Sequence, residues 1–68
     1  MAAFDRITVD PEVLDGQPCI RGTRITVRRA LAIVAEYPDR HELFKDYPQL
    51  TDDDIRAALG YAGAHLED

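Results

Sequence analysis

Gly16-Gln17-Pro18-Cys19-Ile20-Arg21-Gly22-Thr23-Arg24-Ile25-Thr26-Val27 is the stretch on which the fold turns. Two glycines and a proline bracket a strand-like run, Cys19, Ile20 and Arg21, and a second such run, residues 24–27, follows Gly22-Thr23. Glycine takes positive φ without penalty, so Gly22 permits a tight reversal that folds one run onto the other. Upstream, Ile7-Thr8-Val9 reads as a short strand ended by Asp10-Pro11. Residues 11–16 read as a turn, at most one helical turn, stopped by Gly16.

Downstream of Thr26 the apolar period changes from strand to helix. Thr26 is placed to cap a first helix, in which Val27, Ala30, Leu31 and Val34 fall at i, i+3, i+4 and i+7 on one face. Arg28 and Arg29 point away from that face. Pro38 sets the end, because the residue before a proline is pushed out of the helical region. Asp39 caps a second, short helix, with Glu42 at capping-box spacing, Leu43, Phe44 and Tyr47 on its apolar side and Pro48 as its stop. Thr51 caps a third. Asp52, Asp53 and Asp54 occupy its first turn, where negative charge complements the helix dipole. Its apolar stripe is Ile55, Ala58, Leu59, Ala62 and Leu66. The expected core is Val27, Ala30, Leu31, Val34, Leu43, Phe44, Tyr47, Leu50, Ile55, Leu59 and Ala62. The expected fold is mainly α: a short N-terminal β-hairpin or strands followed by a three-helix, homeodomain-like helix-turn-helix core. One domain spans residues 1–68, with 1–26 as a β-strand or hairpin dimerisation region and 27–68 as the helical core.

Three blocks of this chain resemble the bacterial family known as domain of unknown function 433. They are Ile7-Thr8-Val9-Asp10-Pro11-Glu12-Val13-Leu14, the Gly16 to Val27 stretch, and Asp46-Tyr47-Pro48-Gln49-Leu50-Thr51-Asp52-Asp53-Asp54-Ile55, the last followed by Ala57, Ala58, Leu59 and by Tyr61-Ala62. The resemblance covers nearly the whole chain. It implies an antitoxin of the VapB type, a partner of PIN-type ribonuclease toxins, that blocks the toxin's acidic, metal-binding site and represses its own operon. The chain departs from that family in one loop: Glu36-Tyr37-Pro38-Asp39 stands where a glycine usually separates the first two helices. No long C-terminal tail of the kind with which many VapB-type antitoxins wrap their toxin is expected here, so toxin contact is expected to use the folded body, the alternative being another partner.

A chain of 68 residues buries a modest core, rarely worth more than about 3–5 kcal/mol. Cys19 is its only cysteine, so no intrachain disulfide adds to that, and a homodimer or higher oligomer is expected. Ile7, Val9, Ile20, Ile25 and Val27 are the candidate dimer-interface residues, since open strand edges can pair across a two-fold axis. The single cysteine fits a reducing cytoplasm, and its apolar neighbours Pro18 and Ile20 mark it as a small buried hydrophobe rather than a nucleophile. No apolar run approaches the roughly 20 residues of a membrane span, and the first six residues lack the hydrophobic core of a signal peptide. A soluble, cytoplasmic protein is expected.

The net charge of −5 disfavours strong non-specific nucleic-acid binding, and its distribution is uneven. Residues 1–35 carry five arginines against four acids, while residues 36–68 carry nine acids against Arg40, Lys45 and Arg56. An anionic partner therefore belongs at Arg21, Arg24, Arg28 and Arg29, the candidate DNA- or toxin-binding residues. Guanidinium groups suit phosphate and carboxylate alike. A solvated face with salt bridges to Asp10, Glu12, Asp15 or a partner subunit is the alternative. The triple aspartate is read as a helix start, because consecutive helical side chains diverge by about 100° and cannot converge on one ion. It also places acid where a helix-turn-helix would meet DNA, so the hairpin and first helix are the better candidates for any operator contact. His41 and His65 stand apart with no zinc spacing. No metal, cofactor or catalytic set is expected, and the chain is not read as an enzyme. The expected function is a type II antitoxin. The alternatives are a dimeric DNA-binding regulator without a toxin and a protein-interaction scaffold that does not bind DNA.

Overall fold

The computed structural model describes residues 5–66. The residues of the N-terminal stretch read above for a signal peptide and the C-terminal end, 1–4 and 67–68, lie outside them. A two-stranded antiparallel sheet, β1 (Ile7–Thr8) with β2 (Cys19–Ile20), precedes three helices: α1 (Val27–Glu36), α2 (Arg40–Asp46) and α3 (Asp52–Ala64). This is the expected mainly helical order, strands first.

The reversal at Gly22 forms as expected, with φ +80° at that glycine. Ile20 N–H donates to the Ile25 carbonyl (2.9 Å), and the Thr23 hydroxyl donates to Ile20 O (2.8 Å) while accepting from Ile25 N–H (3.0 Å). The return arm is not the second strand expected over residues 24–27. It makes one isolated bridge, Thr26 to Cys19, and then Thr26 turns its hydroxyl to accept from Arg29 N–H (2.9 Å) as the cap of α1. Two cross-strand bonds close that bridge, Ile20 N–H to Ile25 O and Val27 N–H to Pro18 O (2.9 Å each), and the pairing stops there. The strand that β2 does pair with is β1, through Ile7 opposite Ile20 and Thr8 opposite Cys19. The turn Leu14–Gly16 also differs from a right-handed helical turn. Leu14, Asp15 and Gly16 all take positive φ (51°, 59° and 80°), a conformation that costs an L side chain about 1–2 kcal/mol per residue.

Helix ends follow local chemistry. Asp39 accepts from His41 N–H (2.8 Å) to open α2, but Glu42 pairs with Lys45 (3.7 Å). The capping box forms at α3 instead. Thr51 Oγ1 accepts from Asp54 N–H, and Asp54 Oδ2 accepts from Thr51 N–H, both at 3.1 Å.

The core comprises Ile7, Ile20, Val27, Ala30, Ile33, Leu43, Leu50, Ile55, Ala57 and Ala58, with α1 packed on α3 and α3 against β1. Of the expected core, Leu31, Val34, Phe44, Tyr47 and Ala62 are only half-buried at its edge, and Leu59 is 40% exposed. Ile33 is fully buried in their place. Residues 30–35 of α1 are all apolar, so periodicity leaves its inward face open, and the approach of α3 selects the Ala30–Ile33 side. Leu66, expected in the α3 stripe, is 74% exposed.

Removing a buried isoleucine side chain to alanine costs about 2–5 kcal/mol, on the scale of the whole core of so small a domain. Ile33→Ala should leave the protein largely unfolded at room temperature, whereas Leu31→Ala, half-buried, should lose about 1 kcal/mol and stay folded. Urea denaturation followed by far-ultraviolet circular dichroism separates the two. Equal losses would show that the buried face of α1 is misassigned.

Candidate functional site

Apart from Lys45, paired with Glu42 on α2, and Arg56, exposed on α3, the chain's cations divide into two groups. Arg6, just before β1, places Nη1 3.1 Å from Asp54 Oδ1 and Nη2 3.6 Å from Asp53 Oδ2. Arg40, the first residue of α2, places Nη1 2.8 Å from Asp52 Oδ1. Each member of the triple aspartate thus has an arginine, and the run serves as helix start and ion-pair cluster together. Asp54 is buried, at 7% exposure, and its charge is met by Arg6 and by its capping-box bond. Position in the chain offers no signal for these two long-range arginines. The acids nearest the arginine cluster in sequence, Asp10, Glu12 and Asp15, are not its partners among the described residues.

Arg21, Arg24, Arg28 and Arg29 form the second group, and all four are exposed. Arg21 and Arg24 flank Gly22 on the β2–α1 reversal, and Arg28 and Arg29 lie in the first turn of α1. Arg29 donates weakly to the Tyr47 hydroxyl (3.4 Å). Among the described residues the guanidinium groups of Arg21, Arg24 and Arg28 have no carboxylate within 4 Å. Of the five candidate dimer-interface residues, Ile7, Ile20 and Val27 are buried in the chain's own core and Ile25 packs against it. Val9 is 58% exposed and lies just beyond β1.

Arg28 stands on the rim of an apolar groove of about 240 Å³ where the Pro18 loop, the start of α1 and the end of α3 meet. Pro18, Val27, Leu31, Tyr61 and Leu66 line it. No periodicity of one element reveals this groove, because three separate segments build it. A second cleft of the same size is lined by Thr8, Asp10, Val13, Gln17, Cys19 and Thr23, a mix of polar and apolar groups. Its groups are engaged in turns: Asp10 Oδ1 accepts from Glu12 N–H (2.9 Å), and Cys19 Sγ donates to Gln17 O (3.3 Å). Cys19 is buried, as its apolar neighbours predict. His41 is exposed on α2, and His65 closes α3 with its ring stacked on Tyr61 at 4.0 Å. Among the described residues no three His, Cys, Asp or Glu side chains gather as a metal ion would need, and no helix is long and apolar enough to cross a membrane.

The departure at Glu36-Tyr37-Pro38-Asp39 has a structural role. Tyr37 donates its hydroxyl to Asp46 Oδ2 at 2.6 Å and sets its ring edge-on to Tyr47, centroids 5.9 Å apart. These contacts tie the end of α1 to the end of α2. The hydrogen bond to Asp46, with the carboxylate's charge beside it, pushes the Tyr37 phenol up to about 12 from its ordinary 10.0.

The fold and its surface define a small helical domain opened by a two-stranded sheet, with an exposed arginine cluster whose Arg28 edges an apolar groove. The chain belongs to the family described as protein of unknown function DUF433, whose profile matches residues 7–62. It is 36% identical over 64 residues to protein y4eO of Sinorhizobium fredii, covering 94% of this chain and 29% of that protein. The crystal structure of a DUF433 member protein from Anabaena variabilis is similar with a TM-score of 0.77 at 36% identity, covering 90% of this chain and 60% of that one. This chain therefore spans less than a third of the first relative and about three-fifths of the second.

Two predictions follow from the polar ties. Asp54→Ala removes a cap and a buried ion-pair partner and should cost about 1–3 kcal/mol, whereas Asp53→Ala, exposed, should cost under about 1 kcal/mol. Urea unfolding of both variants checks this, and equal costs would sink the assignment of Asp54 as the principal tie. A folded-state phenol value raised above the unfolded one adds stability that is fully present below pH 10.0 and is lost as pH climbs through about 12. Titrating the Tyr37 ring resonance should therefore give a midpoint near 12 that falls toward 10.0 in Asp46→Asn. An unchanged midpoint would remove Asp46 as the cause.

Proposed function

We propose that this chain is the antitoxin of a type II, VapBC-like pair, a cytoplasmic protein that binds and inhibits a PIN-type ribonuclease. One observation carries the reading: in a chain of net charge −5 that pairs Arg6, Arg40 and Lys45, Arg21, Arg24 and Arg28 lie close together in sequence and, like Arg56 on α3, have no carboxylate partner among the described residues. A nuclease that gathers divalent metal with carboxylates offers the complementary charge. The free buried thiol of Cys19 suits a reducing compartment. Arg24 and Arg28 are the contact residues, and a homodimer pairs its open strand edges beside β1.

A second reading, a dimeric DNA-binding regulator, draws support from the succession α2, turn, α3, which has the order of a helix-turn-helix. The acids in the first turn of α3 oppose groove entry by that helix even with Arg6 and Arg40 beside them. Operator contact, and with it autorepression, therefore goes to the arginines of the β2–α1 reversal.

Co-purification with a PIN-type ribonuclease encoded beside this chain, followed by an RNase assay, tests the first reading. The expected outcome is a stable complex that silences cleavage, weakened by about tenfold or more when Arg24 and Arg28 are both alanine. A complex with undiminished cleavage, or none, would overturn it. Duplex-DNA binding that falls steeply with added salt would then favour the second.

A further inference from the structure

We infer that the groove between the Pro18 loop, α1 and α3 is a docking site for an amphipathic helical segment of a partner protein, with apolar anchors and a carboxylate set to meet Arg28. This rests on reading the chain as a protein-binding module and adds where the partner sits and what it must carry. The floor is apolar: Pro18, Val27 and Leu31 on one side and Tyr61 and Leu66 on the other. Leu66, at 74% exposure, is the most exposed large hydrophobic side chain of the described residues, and it lies on this groove rather than scattered elsewhere. At about 240 Å³ the groove is smaller than the roughly 300–1,000 Å³ of small-molecule sites, and suits one or two inserted side chains.

Charge then selects the occupant. Arg28 is exposed on the rim, and no carboxylate lies within 4 Å of it among the described residues. A carboxylate on the incoming segment completes a pair that no acid among the described residues supplies. Nucleic acid is the poorer fit. Phosphate binding draws on many cations along a track, whereas this groove offers one guanidinium over an apolar floor. Apolar anchors at i, i+3, i+4 and i+7 with acids between them match an apolar trough with a cationic edge.

The test uses two synthetic peptides, one with leucines at i, i+3, i+4 and i+7 separated by glutamates, and its twin with lysines for the glutamates. Each is titrated by nuclear magnetic resonance into isotope-labelled protein, wild type and the fold-neutral surface variants Arg28→Glu, Leu66→Asp and Arg56→Glu. The expected result is movement of the Val27, Leu31 and Ala62 amides by the glutamate peptide, with about tenfold preference over its twin. Arg28→Glu should abolish or reverse that preference, Leu66→Asp should weaken binding about tenfold, and Arg56→Glu, on the exposed side of α3, should change nothing. No movement at the groove, no preference between the peptides, or stronger movement of the same amides by duplex DNA overturns the inference. So does a concentration-dependent dimer that protects Leu66 and excludes the peptide. The ribonuclease is added in a separate arm. Ribonuclease that binds without displacing the peptide and ignores Arg28→Glu retains the antitoxin reading and overturns this one. Peptide bound at the groove with no ribonuclease complex does the reverse.

Discussion

One buried carboxylate joins the two halves of this fold. Asp54 accepts from Arg6 with one oxygen and from the Thr51 N–H with the other, while its own N–H donates to Thr51. Arg6 directly precedes β1, and its carbonyl accepts from Arg21 N–H (2.6 Å) at the far end of β2. The sheet and the start of α3 therefore share one polar node. A buried carboxylate without a partner is expensive, so the node holds only if Arg6 is correctly placed. A one-residue slip of β1 would turn Ile7 away from the core as well as withdraw the guanidinium. Register, burial of Ile7 and initiation of α3 are consequently not independent of one another.

Local signals made the helices legible. Thr26, Asp39 and Thr51 cap where their side-chain chemistry says they should, and Pro38 and Pro48 mark the helix ends. The strands were harder. Gly22 produced its reversal, but whether the arm beyond it becomes strand or helix depends on a competition for the same backbone. Thr26 can bridge to Cys19 or cap α1, and here it does both, which leaves no room for a continuous strand. Pairing of β2 with β1, across an eleven-residue separation that includes a left-handed turn, is a long-range matter to which hydrophobic pattern is blind. Ile33 was missed for a related reason. A helix apolar over six consecutive residues does not declare its inner face, and the neighbours decide it.

The site residues were legible by type and not by pairing. The arginine cluster stood out, yet its difference from Arg6 and Arg40 is visible only in three dimensions. Those two are matched with all three aspartates of α3, which cancels much of the charge that the C-terminal half presents at that end. The cluster on the β2–α1 reversal meets no carboxylate among the described residues. The molecule thus carries a local positive surface inside a negative total, an arrangement that long-range net charge would conceal and that short-range contact with an anion would feel.

The groove follows from the same geometry. β1 and α1 cover the N-terminal half of α3, burying Asp54, Ile55, Ala57 and Ala58, whereas Leu59 and the residues near its C-terminus fall toward solvent. A helix of 13 residues is about 20 Å long, and its last turns line an apolar trough beside α1. The tie of Tyr37 to Asp46 and Tyr47 draws α2 onto the far end of α1, away from that trough. Filling the trough from within would require either a longer β2 return arm or a larger residue than Pro18 against Val27. The chain instead uses that arm to start α1, and the choice that ended the second strand is the one that leaves the groove open with Arg28 on its rim.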